Sequence, residues 1–269
     1  MSMAASMSVG ELLAGWRRRR RLSQLELACE AEISQRHLSF VESGRSMPSR
    51  EMLLHLAEHL RVPIRERNAL LVAGGYAPSY REQRIDTPEW TAARSAVQTI
   101  LDAHRPHPAL AVDRHWNLQL ANEAALALLA GINSCMLQDP VNVLRISLHP
   151  NGLAPRIINY RDWRTHILHR LAQQIELSGD WVLEALRKEI ASFPVPATAE
   201  PQHTRQSGVH PIAMPLRLAS PKGTLSFIST TTIFGTALDI TLSELAIETF
   251  LPADAITGEL MREGSLSAE

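Results

Sequence analysis

Cysteine is nearly absent: Cys29 and Cys135 are the two in 269 residues, and neither has a CxxC neighbour. That excludes a disulfide framework and a cysteine-based zinc site, and leaves two thiols expected to be buried among small apolar neighbours. No apolar run approaches the roughly 18–20 residues needed to cross a bilayer, so no membrane partner is expected. Met1-Ser2-Met3-Ala4-Ala5-Ser6-Met7 lacks the basic start and long apolar core of a secretion signal. It reads as a lead-in segment, and the chain is expected in the cytoplasm.

The motifs of common catalytic chemistry are missing as well. There is no GxSxG elbow, Walker loop, GxGxxG or HExxH. His55 and His59 sit one helical turn apart without an evident third ligand. His104, His107, His149, His166, His169, His203 and His210 have no ligand spacing to cysteine or paired carboxylates. These histidines read as core or surface residues, and no catalytic residue, metal site or cofactor is expected.

What is present is 45% hydrophobic and 20% charged residues, the composition of a globular chain whose length suits two domains. The near-zero net charge hides an asymmetry. Residues 1–80 carry 11 Lys+Arg against 8 Glu and no Asp, a net +3, while residues 81–269 carry 16 against 20, a net −4. A basic amino-terminal part suits phosphate, and an acidic remainder is repelled by it.

Residues 22–50 hold the sharpest pattern. Ser23 with Glu26 forms a capping box, and Ser34 can cap a second helix only a few residues after the first must end. Leu27, Ala28, Ile33, Leu38 and Val41 fall where two crossed helices bury side chains. Gln35, Arg36 and Ser39 are left on the outer face, which fits a major groove. The Gln35 amide can pair bidentately with adenine, and the Arg36 fork matches guanine O6 and N7.

Over roughly residues 8–75 this pattern resembles the phage-repressor-like, or Xre, helix-turn-helix family. The resemblance implies an all-α five-helix domain, a phosphate grip at Gln24, base contacts from Gln35 and Arg36, and an Arg17–Glu42 pair tying the first helix to the recognition helix. Ser39, Arg21 and Arg45 complete the expected DNA-binding set, with Arg20 also near the phosphates. Glu32 stands where that family usually has glycine, and a left-handed non-Gly residue costs about 1–2 kcal/mol.

The pattern predicts helices over Ser8–Arg21, from Ser49 through Leu60, and over Ile64–Ala73. Residues 76–88, with two prolines and no periodicity, read as a linker. A connecting helix is expected over Glu89–His104, then a hairpin over Pro108–Asn122 with Asn122 capping Glu123–Ala130. Helices follow at Val141–Leu148, Tyr160–Leu177 and Asp180–Ser192. Strands return at Val209–Ala219 and Thr224–Phe234 around a Ser220–Gly223 turn. Thr241–Glu244 reads as a capping box opening a carboxy-terminal helix.

The Pro108–Asn122 stretch, Asn142-Val143-Leu144-Arg145, and Leu225-Ser226-Phe227 to Phe234-Gly235-Thr236 resemble the MmyB-like transcription regulators. That resemblance implies a PAS-like α/β sensor domain enclosing an apolar pocket for a fatty-acid-like ligand. The expected class is α+β, with domains at 1–75 and 89–269. Trp116, Leu216, Leu218, Leu225 and Phe227 are the ligand-binding candidates, although a closed core needs the same side chains. Expected partners are a double-stranded DNA operator, a small hydrophobic effector and a second copy in a homodimer. The alternative is a DNA-binding protein whose large domain only dimerises or docks a partner protein.

Overall fold

The computed structural model describes residues 7–80, 88–201, 214–234 and 240–266. The chain divides into two compact units, one drawn chiefly from Met1–Gln83 and the other chiefly from Arg84–Ile175, Gly179–Gly235 and Glu244–Glu269. No helix among the described residues is long and apolar enough to cross a membrane.

The first unit is five helices: α1 (Val9–Arg19), α2 (Gln24–Glu30), α3 (Gln35–Glu42), α4 (Arg50–His59) and α5 (Ile64–Ala73). Serine starts four of them. Ser8, Ser23, Ser34 and Ser49 each accept a backbone N–H three residues on, and Glu11 and Glu26 complete capping boxes at the first two. Each such cap is worth about 1 kcal/mol, and together they fix where these short helices begin. The connections are tight enough to force Arg21, Glu32 and Arg61 into left-handed backbone at φ 58, 52 and 48, so the expected turn at Glu32 forms without glycine.

Leu13, Leu27, Leu38, Val41, Leu56 and Leu71 are fully buried in one core. Burying each contributes about 1.5–3 kcal/mol, which outweighs the turn strain. Gly10 lets α1 lie against the end of α3, since a Cβ there would stand 2.5 Å from the Val41 carbonyl oxygen. The start of the expected linker folds back on this unit: Tyr76 donates to the Pro48 carbonyl at 3.0 Å, and Asn68 Oδ1 accepts from the backbone of Ser79 and Tyr80. The expected lead-in to residue 6 and the rest of the linker through 87 lie outside the described residues.

The second unit opens with α6 (Pro88–Ala103), followed by β1 (Ala109–Val112) and β2 (Leu118–Ala121). Next come α7 (Glu123–Leu128), α8 (Val143–Leu148), α9 (Tyr160–Ser178) and α10 (Trp181–Ser192), with short 3-10 turns at Ser134–Leu137 and Ala154–Arg156. The rest of the chain runs through β3 (Pro215–Ser220), β4 (Gly223–Ile233), the single-turn α11 (Ile240–Ser243), β5 (Ala246–Pro252) and α12 (Ala255–Leu266), of which α11 groups with the first unit. The five strands are antiparallel in the order β2-β1-β5-β4-β3. With the helices inserted between the second and third strands, this is a PAS-like α/β architecture.

Strand alternation divides the apolar residues between two faces. Ala109, Ala111 and Ile247 join Val97 and Leu101 of α6 in a small core, while Val112, Leu216, Leu218 and Phe227 join Leu144, Ile167 and Leu186 in the larger one. Three buried asparagines lock the frame. Asn122, 1% exposed, donates to the carbonyls of Leu101 and His107 and accepts from the N–H groups of Ala109 and Ala125, so its amide is saturated. Asn142 caps α8 and donates to the His115 carbonyl, and Asn159 ties α9 to β3 through Pro215 and Arg217.

Three expectations need correction or restriction. Thr241–Glu244 does not open a long helix: one turn forms, and Ala246–Pro252 is β5, the central strand paired with both β1 and β4. A local cap worth about 1 kcal/mol loses to two ladders formed by a segment rich in β-branched and aromatic residues. Cys29 and Cys135 are exposed rather than buried: α2 turns Leu27 and Ala28 inward and leaves Cys29 facing out, and Cys135 sits in the Ser134–Leu137 turn, none of whose residues is buried. The expected strand from Val209 is described only from Pro215, since residues 202–213 and 235–239 lie outside the described residues.

Candidate nucleic-acid interface and ligand cavity

The recognition surface is built on α3. Gln35 and Arg36 occupy its exposed first turn, Ser39 is half-buried one turn on, and Arg45 is exposed in the loop beyond. Phe40 organises this set, a role the sequence reading missed. The Arg36 and Arg45 guanidinium carbons stand 5.4 and 5.9 Å from its ring centroid, within cation–π range. Backbone bonds from Arg45 and Ser46 to the Phe40 carbonyl, at 2.8 and 3.1 Å, fold the loop back onto the helix.

Beneath this surface Glu42 joins three helices. Arg17 grips it bidentately, Nε to Oε1 at 2.7 Å and Nη2 to Oε2 at 2.8 Å, as the resemblance implied. Gln24 Nε2 donates to the same Oε2 at 2.8 Å, which orients the Gln24 amide and leaves its second hydrogen for an outside acceptor. Burial alone would raise the Glu42 carboxyl, but the Arg17 and Gln24 hydrogen bonds outweigh it and hold the group below its ordinary range. Arg21 is exposed in left-handed backbone. Arg20, by contrast, is turned onto its own unit, donating to the carbonyls of Leu60 and Arg61 at 2.8 and 3.0 Å.

The second unit encloses a mostly apolar cavity of about 80 Å³ between the sheet and the inserted helices. Trp116, Leu216 and Leu218 line it together with Ile146, Trp163 and Phe250. Leu225 and Phe227 are not among its lining residues: Leu225 faces an outer groove, and Phe227 is fully buried in the surrounding core.

One end of this cavity is polar, and sequence reasoning did not find it. Arg170 and Glu248 both line the space and pair at 2.5 Å, with the Glu248 side chain 4% exposed. Thr231 Oγ1 donates to Glu248 at 2.6 Å, and Arg170 also bonds the Thr231 hydroxyl. The Arg170 guanidinium lies 4.4 Å from the Trp116 ring centroid, and Trp116 Nε1 donates to Gln174 at 2.9 Å.

Trp116 is held in left-handed backbone, φ 68, where a bulky residue stores about 1–3 kcal/mol. Asp113 closes that turn by accepting from the N–H groups of His115 and Asn117, and His115 Nε2 meets Asp180 Oδ2 at 2.8 Å. His55 and His59 stack edge to face at 4.6 Å, and no cluster of metal-ligating side chains occurs among the described residues.

Residues 93–263 match the family model described as MmyB-like transcription regulator ligand binding domain, and residues 8–70 match a model described as helix-turn-helix domain. No curated protein matches the chain.

Proposed function

Because the chain belongs to the MmyB-like transcription regulators, with a helix-turn-helix unit ahead of the ligand-binding domain, we propose that a small hydrophobic, fatty-acid-like effector sets its affinity for a specific operator. Residues 1–75 form the DNA-binding domain in this reading, residues 76–88 the connector and residues 89–269 the sensor. Gln35, Arg36 and Ser39 read bases, while Arg21, Gln24 and Arg45 hold phosphates. Two copies bind together, since one small helical unit reads few base pairs and half-sites lie about 34–36 Å apart. The site of action is the cytoplasm, where the operator is.

The observation that carries the effector is the cavity, apolar except for one charged end. Trp116, Leu216 and Leu218 contact the hydrocarbon, with Leu225 and Phe227 supporting it from the groove and the buried layer. A ligand acts only through a difference in its affinity for two arrangements, typically about 1–3 kcal/mol, or 5–150-fold. The test is operator affinity of delipidated full-length protein, with and without medium- and long-chain fatty acids at fixed salt. Unchanged affinity at saturation, with no ligand in the purified protein, removes the effector. The cavity volume, well under the roughly 300–1,000 Å³ of common ligand sites, favours the second reading in that event: a large domain that dimerises or docks a partner.

A further inference from the structure

On the other side of α7 from the cavity lies an open groove of about 560 Å³, bounded by α7, the β3–β4 turn and α12. The partition is thin: α7 reads Glu-Ala-Ala-Leu-Ala-Leu, with Ala125 lining the cavity and Ala124 and Ala127 lining the groove. Leu128 lines both spaces. The groove floor is apolar through Leu225, Leu260 and Met261, and its rim carries Arg105, Arg156 and Lys222 against Glu123.

The two ends differ in charge. Inside, Arg170 and Glu248 neutralise each other, so a carboxylate placed there would sit beside a buried anion with no spare cation, an arrangement that desolvation makes costly. At the rim, Arg105 is engaged by Asp102 and Glu123. Arg156 instead donates to the carbonyls of Leu128 and Ala219. Among the described residues no ion pair to a carboxylate involves Arg156, whose partners are carbonyls, or Lys222. With Glu123 drawn to Arg105, these two leave the rim a net positive charge beside Leu128, the residue that lines both spaces.

We propose that the groove is the access route and head-group site: a single-chain carboxylate amphiphile binds tail first, its hydrocarbon passing Leu128 into the cavity and its carboxylate resting at Arg156 and Lys222. This rests on the hydrophobic-effector reading and gives it an orientation. It accounts for why Leu225 faces one space and Trp116, Leu216 and Leu218 the other. It also relieves the size problem, because the hydrocarbon spans both volumes rather than fitting the cavity alone.

The test compares dodecanoate with 1-dodecanol, measured by calorimetry on delipidated full-length protein. The double variant Arg156→Glu/Lys222→Glu reverses the rim charge, and Arg156→Gln/Lys222→Gln, which keeps an amide donor for the Leu128 and Ala219 carbonyls, removes the charge alone; both should lower dodecanoate affinity, the neutral pair by about three- to tenfold, while dodecanol affinity holds. Glu248→Gln should leave the dodecanoate-to-dodecanol ratio at its wild-type value, because in this orientation the carboxylate does not reach the inner pair. Leu128→Ala should speed association of both probes without changing that ratio. If Glu248→Gln shifts the ratio toward dodecanoate and the rim variants leave it unchanged, the head group sits at the inner pair and the orientation is wrong. If neither probe binds the wild type, the effector reading falls together with it.

Discussion

Replacing Glu42 with alanine tests whether one carboxylate holds the DNA-binding helices in register. The change deletes two hydrogen bonds from Arg17, at 2.7 and 2.8 Å, and one from Gln24 at 2.8 Å. It strands a guanidinium whose side chain is 13% exposed and whose remaining hydrogen-bond partner among the described residues is the Leu22 carbonyl. Leaving one member of a buried pair behind costs about 3–5 kcal/mol. At about 4–8 °C per kcal/mol for a domain of this size, the midpoint should fall by more than about 10 °C. The double variant Arg17→Met/Glu42→Leu removes both charges and should recover much of that loss. Hydrogen exchange of α1–α3 amides in the full chain under increasing urea isolates this unit from the other. The pH dependence has a fixed sign, because the Glu42 carboxyl lies below its ordinary value of 4.5 in the folded protein. Its contribution is complete above that value and is lost as pH falls through the lowered one, so wild type and variant should converge only in acid. A single-variant loss under about 1 kcal/mol, or a double variant less stable than the single, would refute the reasoning.

Arg36→Ala should cost about 1–3 kcal/mol on the cognate operator and relax sequence preference; equal losses on cognate and random duplexes would remove its base-reading role. Alanine at Gln24, Arg21 or Arg45 should weaken both duplexes evenly, and the two arginine variants should also reduce the salt dependence of binding, which the uncharged Gln24 does not set. Light scattering should find a dimer, and a monomer both free and on a single half-site would contradict that. Phe227→Ala, at a fully buried ring, should cost about 3–5 kcal/mol by denaturant unfolding. Ligand affinity of the folded fraction should change less than in Leu216→Ala, because Leu216 lines the cavity and Phe227 does not.

The helical unit was legible almost residue by residue because its signals are local. Serine caps at 8, 23, 34 and 49 mark four of the five starts, and the motif leaves so short a turn that Glu32 has no room for another conformation. Asn122 was legible for the same reason, as it caps a helix, whereas Asn142, read inside a helix from Val141, turns out to cap one that starts at Val143. Asn159 was not, because its partners at Pro215 and Arg217 are distant in sequence. Phe40 was not singled out, since nothing in sequence shows that Arg45 folds back to share its ring with Arg36.

The cavity was only half legible, and the missing half follows from one element. Apolar lining residues cannot be told from core by type, because both need the same side chains, so Trp116, Leu216 and Leu218 could be proposed but not separated from Phe227. What distinguishes a ligand space from a core is a polar group inside it, and here that group is Glu248. Reading Thr241–Glu244 as the start of a long helix placed Glu248 on a helical face. In β5 the period is two, so Ala246, Glu248 and Phe250 share the face toward α9 while Ile247 packs with α6. Arg170 on α9 then pairs with it at the end of the cavity. A capping box reports only that a helical turn begins, and its length is decided by what the following residues can pair with. The alternation Ile247, Thr249 against Glu248, Phe250 was the signal for a strand, and a buried charge on that strand required a cation opposite it.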